Sequence, residues 1–184
     1  MKTLNDYSGE LLPEIQFSDF SRAGLIRLLD VYSKLFWALD GMWYLTLKER
    51  FGNEAALACD IEAWRKFGHY EMAQIRKGMN IQGSDPFAMM KAVQISPWFA
   101  QTRSTMERKD AHTVVLTVNQ CPTRETLEDE GEGRENDICN AVCPGIFRDL
   151  ALFFNPRMKV KCLKSSPRKD KEEICCQWEC SEGE

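Results

Sequence analysis

Apolar positions recur at helical spacing from Leu25 through Leu28, Leu29, Tyr32, Leu35, Phe36, Leu39, Trp43 and Leu47, with Ser18 or Ser21 before them as caps and Gly52 as a stop. Val31, Trp37, Met42 and Tyr44 widen this stripe past one face, which predicts a helix covered on two sides. Residues 54–77 repeat the pattern, with Leu57, Ile61, Trp64, Met72 and Ile75 inward and Gly78 and Asn80 closing. Two long helices with a short link predict an antiparallel helical hairpin after a loosely packed lead-in. Ser84-Asp85-Pro86 then caps a short third helix reaching about Ile95, with proline in its first turn.

Beyond that point the period changes from helical to alternating. Residues 98–107 read as a strand that turns at Lys109-Asp110 into the β-branched run Thr113-Val114-Val115-Leu116-Thr117-Val118, which Pro122 ends. This turn puts Thr102, Ser104 and Met106 on one sheet face with Val114, Leu116 and Val118. Residues 124–137 hold seven acids against two arginines and read as a solvated, mobile loop. Asp137 is placed to cap a helix carrying Cys139, Cys143, Ile146, Leu150, Phe153 and Phe154, with Cys139 and Cys143 on one face; Pro144 leaves open a start there instead.

The remaining residues alternate as a hairpin. Met158, Val160 and Cys162 on one arm answer Ile174, Cys176 and Trp178 on the other, with a turn over residues 165–170. A pivot near Lys169 sets Cys162 opposite Cys176 and turns Cys175 outward. The seven basic residues within 157–171 then form the wet face of the hairpin.

Together these elements predict an α+β fold: a helical hairpin and a short helix on a roughly four-stranded antiparallel sheet, crossed by the helix that carries Cys143. The 184 residues suit a single domain over 1–184, with a helical part at 18–95 and a sheet and cysteine-rich part at 98–180. A net charge of −4 argues against a nucleic-acid partner. The start of the sequence does not read as a signal peptide, and Asp40 interrupts the apolar run at 35–47, which is too short to cross a membrane. A cytoplasmic location follows from these readings. In a reducing compartment the eight cysteines point to metal binding, reactivity or burial rather than to disulfides.

Seven of those cysteines fall between residues 121 and 180. Cys121, Cys139, Cys143, Cys162 and Cys176 are the candidate ligands of zinc or an iron–sulfur cluster, although no Cys-x-x-Cys pair occurs; burial of ordinary thiols is the competing reading. Cys121 or Cys176 is the candidate reactive thiol, and Arg103 or Arg124 the candidate clamp for a substrate carboxylate. Trp37, Trp43, Tyr44 and Trp64 on the two helices, and Trp178 on the last strand, are candidates to line a ligand pocket, against a plain core role for the helical aromatics. His69 reads as a helix residue rather than a base, since Glu71 two positions on does not share its face.

The order of Trp64, Val118-Asn119-Gln120-Cys121-Pro122, Cys139, Asn155-Pro156 before a basic hairpin, and Cys176-Gln177-Trp178-Glu179 resembles the prokaryotic L-2-amino-thiazoline-4-carboxylic acid hydrolase-like family, across most of residues 18–180. More distantly the chain is similar to the 4-vinyl reductase domain. The first resemblance implies a hydrolase opening a C–N or C–S bond of a small heterocycle. The second implies a non-enzymatic sensor or carrier of a small ligand. The broad stripe of the first helix implies a further alternative, a homodimer built through that helix.

Overall fold

The computed structural model describes residues 3–183. Helix α1 spans Arg22–Phe51 and begins where Ser21 Oγ accepts the Gly24 N–H at 3.0 Å. It ends at Gly52, whose φ of 85° turns the chain directly into α2 (Asn53–Gly78), so the two helices pair as the hairpin the apolar pattern predicts. Only one side of α1 is covered. Tyr32, Leu35, Leu39 and Met42 lie exposed, and Ile61 on α2 also faces out rather than inward. The lead-in before α1 is pinned, with the Leu4 N–H donating to Asp19 O and the Ser21 N–H to Leu4 O, both at 2.8 Å.

Helix α3 spans Pro86–Gln94 and is capped as expected, Asp85 Oδ1 accepting the Ala88 N–H at 2.8 Å. The chain then keeps Trp98 and Phe99 in a buried turn, and β1 begins only at Arg103 (Arg103–Arg108). Trp98 Nε1 donates to the buried Glu71 Oε2 at 2.9 Å, and that bond ties the turn to α2 in place of a longer strand.

Strands β2 (Thr113–Gln120), β3 (Met158–Lys164) and β4 (Cys176–Glu182) complete one antiparallel sheet in the order β1-β2-β4-β3. Ser104 pairs with Val118 and Met106 with Leu116, the shared face the alternation predicts. The hairpin register differs from expectation. Cys162 stands opposite Trp178, and Cys162 is exposed while Cys175 is buried. The cause is the connection over residues 165–175, which folds around the Arg168 guanidinium: Nη1 donates to the Lys171 and Glu173 carbonyls at 3.2 Å. That side chain is buried with Glu128 rather than wet. Before β4 starts, the Cys175 N–H already donates to Val118 O at 2.8 Å, which turns its thiol inward.

The acidic stretch is helical, not a mobile loop. Helix α4 spans Pro122–Glu130 and α5 Arg134–Asp137. Strand β2 ends at Gln120 before Pro122, as expected, and Pro122 then starts α4, because a first-turn position needs no N–H. Arg124, Leu127 and Arg134 are buried, and the acids are matched across the turn: Arg124 Nε donates to Glu128 at 2.8 Å and Arg134 Nε to Glu130 at 2.7 Å. Asp137 caps nothing, since it has helical φ and ψ and the chain runs on through a π-helical turn, Ile138–Val142, into α6 (Cys143–Phe154). The Cys143 N–H bonds to Ile138 O, and Pro144 has no N–H for the Cys139 carbonyl, which accepts Ser165 Oγ at 3.2 Å instead. The π turn is therefore fixed by Pro144 and closed by the hairpin loop.

Helix α6 lies across the sheet, with Phe147 stacked on Trp178 at 4.7 Å, and its Leu150 meets Gly68 of α2 so closely that a Cβ there would sit 3.1 Å from Leu150 Cδ2. Among the described residues no helix is long and apolar enough to cross a membrane.

Candidate functional site

Between the hairpin, the sheet and the α4–α6 segment lies a cavity of about 280 Å³. Helix α1 contributes Trp37, Asp40 and Tyr44, and α2 contributes Asp60 and Trp64. The opposite wall is Cys121, Thr123 and Arg124 at the start of α4, Cys139 and Cys143 at the π turn, and Cys176 at the start of β4. Trp98, Phe147 and Val118 close the floor. The walls are apolar and aromatic with a few polar groups set into them, as in small-molecule sites.

Two charge systems face each other across this space. Asp40 and Asp60 lie on adjacent helices with no ion-pair partner among the described residues. Burial raises the Asp40 carboxyl to about 6, and burial together with the Asp40 charge raises Asp60 to about 7; the Trp64 indole opposes both shifts. On the other wall stands Arg124, and behind the lining its partner Glu128 is shared with Arg168, so the trio keeps a net positive charge. Arg124 is only 1% exposed; its Nη1 donates to the Cys175 carbonyl. Among the described residues its Nη2 has no partner, and neither have Thr123 Oγ1 and Trp37 Nε1, two further buried donors on the lining.

The cysteines divide sharply. Burial pushes Cys121 up to about 11 and Cys176 up to about 12. Cys139 moves the other way: hydrogen bonding with the Cys143 thiol holds it below the usual thiol range against its own burial, and the Arg124 charge adds to this. Cys143 is raised by the same interaction and by burial, so it keeps the proton. The pair is one thiolate candidate beside one thiol donor.

Six sequence candidates thus converge on the cavity: Cys121, Cys139, Cys143, Cys176, Trp64 and Arg124. Three do not. Cys162 is exposed on β3, its Sγ 3.2 Å from Lys164 O, because the register carries it past the wall. Trp178 is buried under Phe147, and Arg103 is exposed on β1 with Gln120 as its neighbour at 3.4 Å. The five-cysteine metal centre does not form: among the described residues no three His, Cys, Asp or Glu side chains are arranged to hold a metal ion. Asp40 and Asp60 were missed as functional groups. Their signal was an acid inside an otherwise apolar helical run, and a second acid one turn before Trp64.

Fold and site together define an α+β protein with a chemically two-sided cavity between a helical hairpin and an antiparallel sheet. The chain belongs to a family described as a family of unknown function (DUF6125), whose model matches residues 18–181. No curated protein and no solved structure matches it.

Proposed function

We propose that this protein binds a small organic molecule in the cavity, with an apolar body against Trp37, Trp64 and Phe147 and a carboxylate or similar acceptor on Arg124. The observation that carries this reading is the buried, unpartnered Arg124 Nη2 on the cavity wall. A buried guanidinium donor without a partner is costly unless an acceptor reaches it. The matching experiment is a thermal-shift and calorimetric screen of small aromatic and heterocyclic carboxylates against their amides. Carboxylates should bind and raise Tm, the amides should not, and Arg124→Gln should abolish the difference; equal binding of both series would sink the reading.

A second reading, hydrolysis of a small heterocycle as the family resemblance implies, is favoured by Cys139 and the two aspartates sharing one cavity. Here the Cys139 thiolate adds to an electrophilic ring carbon. The protonated Asp60 carboxyl gives its proton to the leaving nitrogen or sulfur, and water then cleaves the thioester-like intermediate. Binding without turnover, with Cys139 alkylation leaving affinity intact, would assign the site to a carrier or sensor instead.

A further inference from the structure

The outward side of α1 carries a second apolar pattern, of which the fold leaves Tyr32, Leu35, Leu39 and Met42 uncovered and Leu25 and Leu28 half-buried. Leu25, Leu28, Tyr32, Leu35, Leu39 and Met42 follow one another at alternating steps of three and four residues, the spacing of a coiled-coil seam rather than of a helix packed on a sheet. The positions flanking the seam are Leu29, Val31, Phe36, Ala38, Trp43 and Leu45, with no charge among them. The face of α1 that lines the cavity, with Trp37, Asp40 and Tyr44, is a different one. Tyr32 is 47% exposed, Leu35 58%, Met42 67% and Leu39 70%.

We propose that this seam is the interface of a homodimer, α1 of one copy lying along α1 of the other about a two-fold axis. The occupant is specified by the pattern: a three-four repeat accepts knobs from another helix with the same repeat, and a two-fold axis supplies one from the same sequence. The size agrees, since Leu29, Tyr32, Leu35, Leu39, Met42 and Trp43 together expose on the order of 800 Å², about what each partner gives a standard interface. A lipid surface fits less well. Helices that lie on membranes carry a cationic polar face along their length, whereas α1 has no basic residue from 35 to 47 and there turns Trp37, Gly41 and Tyr44 to the cavity instead.

The dimer also reaches the cavity. A groove of about 290 Å³ runs between Leu39 and Trp43 of α1 and Phe67 of α2, and it shares Asp40 and Trp64 with the cavity lining. A partner helix on the seam covers that groove and shuts the outer side of Asp40 from water.

Sedimentation equilibrium from about 1 to 100 μM tests this. The wild-type protein should run as a dimer, and Leu35→Glu/Leu39→Glu as a monomer with an unchanged far-UV circular dichroism spectrum, since both side chains face solvent in one copy. If that variant fails to fold, the wild type decides alone: its Tm should rise with protein concentration, as mass action requires. A monomeric wild type with a constant Tm overturns the proposal, as does a variant that stays dimeric. Monomeric wild type that sediments with phosphatidylglycerol vesicles would overturn it too, by giving the seam to a membrane.

Discussion

Cys139 and Cys143 have the same chemistry in the sequence and opposite tendencies in the fold, because one receives a hydrogen bond and a guanidinium field while the other must keep the shared proton. Iodoacetamide labelling followed by peptide mass spectrometry should therefore modify Cys139 at a pH below that needed for Cys121 or Cys176. Cys143→Ala should move the Cys139 midpoint upward, and equal midpoints for all four thiols would refute the assignment. Glu71 makes the complementary case outside the cavity. Burial raises its carboxyl to about 7 from 4.5, so between those values the unfolded chain has lost a proton that the folded chain keeps. The stability it contributes is thus present at low pH and falls as pH rises through about 7, by about 1–3 kcal/mol. Glu71→Gln, which keeps an acceptor for Trp98 Nε1, should flatten the decline in urea-unfolding free energy between pH 5 and 8; an unchanged slope would show that the proton is held elsewhere.

At the scale of elements, the most consequential feature is one acid between two arginines. Glu128 of α4 holds Arg124 beside the cavity and Arg168 in the hairpin connection, so α4 and the β3–β4 loop are fastened to each other. Glu128→Ala leaves two buried guanidinium groups unmatched and should destabilise the protein by about 3–5 kcal/mol in denaturant unfolding, whereas Asp129→Ala, which breaks an exposed pair with Lys171, should change it by under about 1 kcal/mol. This is also where sequence reading reached its limit. Both long helices, α3 with its Asp-Pro cap, the β1–β2 pairing and the convergence of Cys121, Cys139, Cys143 and Cys176 are legible because periodicity, capping and β-branching are local. The acidic stretch misleads, since its charge looks solvated until one sees that Arg124, Arg134 and the distant Arg168 and Lys171 answer it. Likewise the hairpin register cannot be read from alternation alone when Arg168 organises a long connection.

For the whole molecule, the cavity lies where the helical hairpin, the sheet and the α4–α6 segment meet and no single one forms it, so occupancy and global stability are linked. A ligand at about 100 times its Kd should raise unfolding free energy by about 2.7 kcal/mol. Because Asp40 and Asp60 titrate near 6 and 7, a ligand bringing a cationic group should bind more tightly above about pH 7, where both carboxylates are charged, and a purely anionic one more tightly below about pH 6. Calorimetric titrations at pH 5.5 and 8 would distinguish these, and affinities independent of pH would exclude both aspartates from contact.

The strand order carries a consequence for how the chain comes to be folded at all. β4 is the last strand in sequence yet lies between β2 and β3, so during synthesis both of those neighbours wait with an open edge until residues 176–182 emerge. The helical hairpin and the β1–β2 hairpin close through contacts near in sequence, while joining β4 to β2 pairs segments some sixty residues apart, such as Thr117 and Gln177. Topology thus favours the local hairpins forming first and the β2–β4 pairing last. A chain cut short before β4 keeps its hairpin but presents two unsatisfied strand edges to its neighbours, and these are the surfaces through which nascent chains aggregate.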